Sequence, residues 1–399
     1  MRKKTYYWLI LVFIAIGLVV IIDLSIGVFY EKLAPDFGKQ NLKMALSAYK
    51  GDASQLSVQP HPYLTYVNTP FYHKNEFRQH NNMGYRNIEN TRLSKPSHCF
   101  RIVVMGGSTT YGDGVDNPGD TWPHILQKVL NDTLDLMNDD CYVEVINAGM
   151  PWATSAELLN HYLYKNRNLH ADLVVLHTGG NDIQPRVFNN YKPDYSHWRS
   201  IQGGGKNGLK PGETWLVSRS NIVKLLYALW YNNLDYAVSR PYIHTKEYTK
   251  LPADEIRENL NKNTNASFTR NVSLLLRNIQ NDGAVPVYFQ FYASEASVDK
   301  NVHGTKRKKR VREQHMVLKK AFYENRDSAF NLCSENNIMF LEMSPGNVPE
   351  RCMVDICHMN REGHKIKARF VVEKLMPLLI KHIRNVKCQS DATEVNYTE

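Results

Sequence analysis

The chain has 399 residues, of which 43% are hydrophobic and 22% are charged, and its formal net charge is +10. This is the composition of a globular protein with one large or two ordinary domains, and it excludes a chain too polar to build a core. The positive charge suits an anionic membrane surface or an acidic polymer. No basic motif is interleaved with aromatic residues, however, so we expect no nucleic-acid partner.

The first thirty residues form an apolar segment behind a basic tip. Arg2, Lys3 and Lys4 precede the run TYYWLILVFIAIGLVVIIDLSIGVFY, in which Asp23 is the one interrupting charge. The run is long enough to cross about 30 Å of hydrocarbon, and it lacks the small-residue cleavage site of a signal peptide. Because basic residues stay on the cytoplasmic side, we predict a single transmembrane helix with the bulk of the chain outside the cytoplasm, periplasmic or at the cell surface. The alternative, a buried core helix, is disfavoured because the run has no polar face.

Residues 31–97 are rich in Pro, Tyr, Asn and Lys with weak periodicity, which predicts a stalk and an irregular segment that leads into the folded domain. From there, short apolar runs alternate with amphipathic stretches. The predicted strands are 100–106, 142–149, 171–179, 285–291 and 338–343. The predicted helices are 120–131, about 153–167, about 255–281, about 311–336 and about 361–384.

This alternation predicts an α/β domain over residues 98–388, with a parallel sheet covered on both faces. Residues 183–250 interrupt the pattern with three consecutive glycines and many aromatic residues. They are too long for an ordinary connection, so we interpret them as an inserted lid or substrate-facing segment. Residues 1–30 are then the cytoplasmic tip and anchor, and residues 389–399 a flexible tail.

Loops of small and polar residues follow the first three predicted strands, with the sequences GGSTT, NAGMPWATS and HTGGND. In an open parallel sheet, ligands bind at the carboxyl ends of the strands, where such loops gather. The first loop contains Ser108, but it has neither the lysine of a Walker phosphate loop nor the G-x-G-x-x-G pattern of a dinucleotide site. The pattern therefore favours a nucleophilic serine over a nucleotide site.

A nucleophilic serine needs a base, an orienting carboxylate and donors for an oxyanion. In the stretch MVDICHMN, Asp355 lies three residues before His358, which can set the carboxylate against Nδ1 and leave Nε2 free to take the serine proton. The candidate oxyanion donors are the backbone N–H groups of Ser108 and Gly149 and the side-chain amide of Asn181. The sequence thus predicts Ser108, His358 and Asp355 as catalytic residues.

Together these blocks, GGSTT, NAGM, GGND and DICH, resemble in their order the SGNH (GDSL-like) hydrolase superfamily over about residues 100–384. The stretch NNMGYRN is similar to the segment before the core in membrane-anchored bacterial members. The resemblance implies a flavodoxin-like three-layer α/β/α domain, with strand order 2-1-3-4-5, that hydrolyses or transfers acyl groups without metal or cofactor. Gly107 departs from the family, which has an aspartate there. That aspartate is not the catalytic acid, so we expect changed hydrogen bonding in the loop rather than loss of chemistry.

Each assigned residue has a structural alternative. Ser108 is of a type that commonly forms turns, and Asn181 and Asp182 are of types that cap them. We interpret Asp182 as structural. His364 is the rival to His358 as the base, but it lies inside the last predicted helix and no aspartate stands three residues before it.

Three functions are compatible with these residues. The leading hypothesis is a membrane-anchored serine esterase that acts on O-acyl groups of an extracytoplasmic glycan or lipid. An acyltransferase would use the same acyl-enzyme on a cell-surface polysaccharide, and a non-catalytic anchored binding protein would keep the site as a vestige. The run KRKKRVR, residues 306–312, is interpreted as a solvated face or loop, or as a surface that attracts anionic glycans or headgroups.

The six cysteines permit disulfides in an exported chain. Cys99 and Cys141 immediately precede two strands that would be parallel neighbours, which brings them within bridging distance. Cys352 and Cys357 flank Asp355 and would close a small loop around it. We therefore expect Cys99–Cys141 and Cys352–Cys357 bridges, with free or buried thiols as the alternative.

Overall fold

The computed structural model describes residues 2–36, 57–74, 76–136, 141–201, 211–233, 248–300 and 302–395, with the short pieces 38–39, 42–43, 46, 236–237 and 243–246. The glycine triplet of the predicted insertion, residues 47–56 of the predicted stalk and residues 396–399 of the predicted tail lie outside the described residues. The chain divides into two compact units, Met1–Pro60 with Trp198–Glu247 and His61–His197 with Tyr248–Glu399.

The helices and strands follow one another along the chain with these bounds. The helices are α1 Arg2–Leu33, α2 Ser108–Tyr111, α3 Trp122–Leu136, α4 Ser155–Tyr164, α5 Pro211–Arg219, α6 Asn221–Asn232, α7 Ala253–Lys262, α8 Ala266–Asn281, α9 Thr305–Glu335 and α10 Arg361–Val395. The strands are β1 Val58–His61, β2 Thr65–Asn68, β3 His73–Lys74, β4 Phe77–Arg78, β5 Cys99–Gly106, β6 Tyr142–Gly149, β7 Leu173–His177, β8 Arg199–Ile201, β9 Tyr236–Ala237, β10 Ile243–Lys246, β11 Val285–Phe289 and β12 Met339–Leu341.

The larger unit is built on a five-stranded parallel sheet in the order β6-β5-β7-β11-β12. Numbered along the chain, these five strands lie in the order 2-1-3-4-5. All eight residues of the central strand β5 are buried, as expected for a strand covered on both faces. The predicted α/β class with a central parallel sheet is confirmed, and each observed strand lies within about two residues of its predicted bounds.

Helices cover both faces of this sheet. Along α3 the buried side chains of Trp122, Leu126 and Leu130 recur every four residues, which places them on one helix face. They pack with Val371 and Leu375 of α10 and with the sheet in one apolar cluster. On the other face, α4 packs on α8, and α8 and α9 contact β11 and β12 respectively.

The segment that leads into the domain lines the outer edge of β6. The backbone N–H of Arg86 donates to Asn147 O, and Asn87 bonds both Val145 O and Asn147 N. Backbone groups of an exposed edge strand would otherwise be open to pairing with another chain. Residues 86 and 87 therefore belong to the folded domain.

The smaller unit contains α1, α5 and α6 and the antiparallel sheet β8-β10-β9. Tyr6–Leu33 is long and apolar enough to cross a membrane, a property that a signal sequence shares, and none of its most apolar stretch is buried. Tyr30, Val217, Ala228 and Tyr231 form part of a small core where α1 meets α5 and α6.

Two predicted helices differ from the observed ones. The helix predicted at about 255–281 is two helices, because the Asn263 amide bonds the carbonyl oxygens of Arg186 and Phe188 while Asn265 bonds Glu324 O. The basic run 306–312 is neither a loop nor a connection before a helix. It lies within the first turns of α9, with its basic residues exposed.

Neither expected disulfide is formed among the residues that the structure describes, and Cys99, Cys352 and Cys357 carry free thiols. The reason is clear for the first pair. The register of β5 and β6 places Cys99 opposite Tyr142, so Cys141 lies one position earlier. A shift of one residue turns a side chain to the other face of a sheet, and proximity of the two strand ends was therefore not sufficient.

Candidate active site

Ser108 lies where β5 turns directly into α2 at the carboxyl edge of the sheet. Gly107 precedes this short helix, and its carbonyl oxygen accepts hydrogen bonds from the N–H groups of Thr110 and Tyr111. A side chain at Gly106 would lie 2.2 Å from Thr110 Oγ1 and 2.3 Å from the carbonyl oxygen of His177. Glycine is therefore required at position 106 for the helix to start so close to the strands.

The structure brings Ser108, His358 and Asp355 together in a hydrogen-bonded chain. Ser108 Oγ donates to Nε2 of His358 at 2.8 Å, and His358 Nδ1 donates to Oδ2 of Asp355 at 2.7 Å. The other carboxylate oxygen of Asp355 accepts from the backbone N–H groups of Cys357 and His358 at 2.9 and 2.8 Å. The tight turn thus fixes the carboxylate against the imidazole, in the geometry with which a base removes a proton from a serine.

The electrostatics of the pair favour a charged imidazolium beside a charged carboxylate. Burial disfavours the charged form of His358, but the Cys357 sulfur, 3.8 Å from Nδ1, and the Asp355 carboxylate outweigh it and raise the pKa of His358 above its ordinary value. Burial likewise favours the neutral acid at Asp355, but the hydrogen bond and charge of His358 hold its pKa below the usual value. Proton transfer from Ser108 to His358 is favoured by both shifts.

Two of the three predicted oxyanion donors lie beside Ser108. As the first residue of α2, Ser108 has a backbone N–H without an acceptor inside the helix. The Asn181 amide donates to Ala153 O at 2.9 Å and lies 2.8 Å from the position that a Cβ on Gly107 would occupy. An amide nitrogen carries two N–H groups, so the second is available to a ligand.

Gly149 is not brought to this position. Its N–H donates to Oδ1 of Asn147 at 3.0 Å, and it does not line the cavity next to Ser108. A Cβ at Gly149 would lie 2.2 Å from the backbone nitrogen of Tyr111. This glycine therefore lets α2 pack against β6, and its N–H is already used.

The remaining predicted polar residues have structural surroundings. Both carboxylate oxygens of Asp182 accept from Ser155, one also accepts from Tyr195, and complete burial raises the pKa of Asp182 to about 6. His364 is 2% exposed, and its Nδ1 accepts from the backbone N–H of Trp122. Burial lowers the pKa of His364 to about 3, so this histidine stays neutral inside the domain.

An apolar cavity of about 180 Å³ opens beside Ser108, Asn181 and Cys357. Its apolar walls come from three places in the chain: the loop after β7, the segment after β11, and one face of α9. The side chains are Ile183, Phe291, Val311, Leu318 and Phe322. The apolar face of α9 that lines the cavity was not predicted from the sequence, because Val311 lies within the basic run 306–312. The helical spacing of residues 311, 318 and 322 was the signal that could have found it.

A buried lysine–histidine pair behind the cavity was also missed. Lys367 Nζ donates to Nε2 of His177 at 2.8 Å, and His177 lines the cavity. Burial lowers the pKa of Lys367 to about 7, and burial with the nearby lysine lowers the pKa of His177 well below its usual value. Lys367 Nζ also lies 5.2 Å from the ring centres of Trp122 and Phe289, so the lysine connects the core with the cavity wall at His177.

Among the described residues, Asp355, Cys357 and His358 form the one group whose composition could hold a metal ion, with ligand atoms within 4.8 Å of one another. The Cys357 sulfur is 3.8 and 3.9 Å from the two imidazole nitrogens, and both nitrogens are already hydrogen-bonded. The donor set therefore fits hydrogen bonding within the chain better than a metal.

Comparison with known proteins finds a family model that matches part of the chain. The model of the GDSL-like Lipase/Acylhydrolase family matches residues 104–222, a stretch that contains Ser108, Gly149 and Asn181. No curated protein matches the chain. Three similar solved structures are each matched over more than nine tenths of their own length.

A lipase/acylhydrolase from Enterococcus faecalis is 14% identical with a TM-score of 0.36, over 69% of this chain and 94% of that one. A GDSL-like lipase from Bacteroides thetaiotaomicron is 10% identical with a TM-score of 0.34, over 72% and 92%. A catalytic mutant of an acetylxylan esterase from Geobacillus stearothermophilus is 11% identical with a TM-score of 0.37, over 69% and 93%. Residues 104–222 therefore match the GDSL-like Lipase/Acylhydrolase family, in agreement with the resemblance of the sequence motifs and with a serine hydrolase of ester bonds.

Proposed function

We propose that the chain is a membrane-anchored serine esterase that forms an acyl-enzyme on Ser108. The observation that carries the proposal is the pair of hydrogen bonds from Ser108 Oγ to His358 Nε2 and from His358 Nδ1 to Asp355 Oδ2, at 2.8 and 2.7 Å. Serine is a weak nucleophile until an adjacent base takes its proton, and here that base is already in contact with it.

The reaction follows from this geometry. His358 Nε2 accepts the Ser108 proton while Oγ attacks the ester carbonyl, and Asp355 stabilises the resulting imidazolium. The N–H of Ser108 and the free N–H of the Asn181 amide donate to the oxyanion. The imidazolium then gives its proton to the leaving alcohol, and water repeats the sequence to release the acid. Each step moves one proton through Nε2 and needs no metal.

The cavity beside Ser108 supplies the binding site for the acyl group. Its walls of Ile183, Phe291, Val311, Leu318 and Phe322 are apolar, and burial of an acyl chain there contributes about 0.8 kcal/mol for each methylene group. Basic residues on either side of position 311 are exposed, and they attract an anionic leaving group or surface. We assign the substrate to O-acyl groups of an extracytoplasmic glycan or lipid, because α1 would hold the domain at a membrane.

A fluorophosphonate probe tests the catalytic part of the proposal. Wild-type protein and Ser334→Ala, which changes an exposed serine at the end of α9, should be labelled equally, whereas Ser108→Ala should not be labelled. Hydrolysis of short acyl esters should disappear with the label. Labelling that survives in Ser108→Ala would overturn the assignment of the nucleophile, and labelling without hydrolysis of any ester would favour the acyltransferase.

Topology requires a separate test. A reporter fused after residue 35 should be active outside the cytoplasm and silent inside it, and membrane-bound protein should retain its first residues. An intact mass that lacks the apolar segment would show that α1 is a cleaved signal sequence. Activity of the reporter in the cytoplasm would reverse the orientation and remove extracytoplasmic substrates from consideration.

A further inference from the structure

We infer that α5 and α6 form a second membrane contact beside α1, with the exposed apolar side chains of these two helices in the outer lipid interface. The inference rests on the proposed anchoring by α1. It adds an interaction surface whose partner is the same lipid bilayer, and it concerns the smaller unit alone.

The start of α6 is tied to a residue inside the apolar segment. Asp23 accepts hydrogen bonds from Ser220 Oγ at 2.6 Å, from the backbone N–H of Ile222 at 2.9 Å and from Asn221 Nδ2 at 3.1 Å. A carboxylate in a membrane helix is costly and is found paired, and the amino end of a helix favours a negative charge. The one charge in the apolar run thus has its partners on α6.

The depth of this contact follows from helix geometry. Hydrocarbon of about 30 Å takes about 20 residues of helix, and the aromatic residue Trp8 suits the inner interface. The hydrocarbon then ends near residue 28, so Asp23 lies about five residues, or about 8 Å, below the outer boundary. Residues 220–222, bonded to Asp23, lie at the same depth.

From that point α6 rises beside α1 towards the water. A Cβ at Gly27 would lie 2.7 Å from the Asn221 amide, and Lys224 Nζ lies 4.2 Å from the centre of the Tyr30 ring. At Gly38 a Cβ would meet the carbonyl oxygen of Ala228 at 1.9 Å. Gly27 of α1 thus allows the close helix packing that is typical of membrane proteins, and Gly38, beyond the end of α1, allows the close approach of the following segment.

Apart from the side chains in the small core, the two helices carry large apolar side chains that are exposed within the smaller unit. The lipid-facing patch is Trp215, Leu216, Leu226, Leu229 and Trp230, whose exposed fractions range from 39% to 58%. Such a set is unfavourable in water, and tryptophan prefers the membrane interface. About 14 Å of rise from residue 221 to residue 230 takes the second tryptophan to the headgroup level.

Continuity with α1 identifies the occupant as lipid. The apolar side chains of α1 are themselves largely exposed, with Leu18 at 54% and Ile21 at 61%. Since α6 begins beside Asp23, its first turns share the surroundings of that segment. A bilayer that receives α1 therefore also meets the lipid-facing patch.

Quenching of tryptophan fluorescence by brominated lipids tests this placement. The full chain is reconstituted into phosphatidylcholine–phosphatidylglycerol vesicles, and Trp8→Phe removes the tryptophan of α1, leaving five. Bromine high on the acyl chain should quench up to two fifths of the remaining emission, and bromine near the chain end should quench less. The quenching should disappear when Trp215→Phe and Trp230→Phe are added.

A second measurement uses the Trp8→Phe protein alone, so that it does not depend on the folding of the triple variant. Aqueous iodide should quench the emission of this protein less when it is in vesicles than when it has been taken out of mild detergent by dilution. Lipid quenching that is unchanged by the two added substitutions would overturn the inference. Co-flotation of the wild-type chain and quenching of Trp8 report on α1 separately: if both are absent the anchor itself is wrong, and the inference falls with it.

Discussion

Gly107→Ala should disable the proposed oxyanion site without touching the nucleophile, the base or the carboxylate. The added Cβ would lie 2.8 Å from Nδ2 of Asn181 and 3.6 Å from Ala153 O. The first distance is shorter than real Cβ contacts, so the Asn181 amide must move by a few tenths of an ångström or more. Gly107 has a φ of −82°, outside the left-handed region that favours glycine, so the expected effect is displacement of the amide.

The magnitude follows from the role assigned to that amide. Loss of one oxyanion donor lowers kcat by about 10²–10³, and we expect Asn181→Ala to fall in this range. Partial displacement by Gly107→Ala should cost about 10–10² in kcat with a smaller change in KM. In the double variant the amide is already gone, so the double variant should be no slower than Asn181→Ala alone.

Steady-state hydrolysis of a p-nitrophenyl ester by all three variants measures this coupling, with Gly346→Ala as the matched control. A Cβ at Gly346 meets nothing within 4 Å, so its kcat should equal that of the wild type. Multiplying losses in the double variant would show that Gly107 and Asn181 act independently. Full activity of Gly107→Ala would refute the placement of the amide.

The other predictions use the same assay, with a denaturant unfolding titration added for His364→Ala. Asp355→Asn replaces the oxygen that accepts from His358 Nδ1 by an NH₂ group, so kcat should fall by about 10⁴. The carboxylate raises the pKa of His358, and activity is lost as pH falls through that pKa, so the acidic limb of the kcat/KM profile should move to lower pH in this variant. An acidic limb that does not move would contradict the coupling of the two residues. His364→Ala should lower the free energy of unfolding by about 2–4 kcal/mol while folded protein keeps its kcat, and a loss equal to that of His358→Ala would make His364 the base. Val311→Phe fills part of the cavity, so it should lower kcat/KM about tenfold for esters whose acyl chain loses the burial of two methylene groups, at about 0.8 kcal/mol each, and should hardly change it for acetate esters. The control is Met316→Phe, on the exposed side of α9 at 68% exposure. Equal losses of kcat/KM for acyl chains of all lengths would place the acyl group elsewhere.

The sequence predicted the sheet well because its strands are buried on both faces. Short, near-continuous apolar runs such as those of β5 and β7, with polar loops at their ends, are typical of buried parallel strands. The sequence could predict the hydrogen-bonded set of Ser108, Asp355 and His358 for a related reason. Asp355 and His358 are only three residues apart, and Ser108 lies at the end of a strand. Features that depend on contacts between residues far apart in the sequence were harder to predict. The division of residues 255–281 depends on Asn263 and its contacts with residues 186 and 188, which no local pattern records.

Two of the expectations that the structure does not support, Gly149 as an oxyanion donor and the Cys99–Cys141 bridge, depend on the register of β5 and β6. The sequence identifies both strands and their bounds but not their register, and a shift of a single position decides which side chains face each other. In the structure β6 ends at residue 149, as predicted, and Gly149 pairs with Gly106. This glycine therefore serves the close approach of α2 rather than the donor site. In the loop beyond, Trp152 holds a φ of 69°, a left-handed conformation that favours glycine. The glycine of the motif, Gly149, and the residue with the glycine-like backbone, Trp152, are therefore different residues. The sequence does not show this difference, because it depends on the path of the loop in three dimensions.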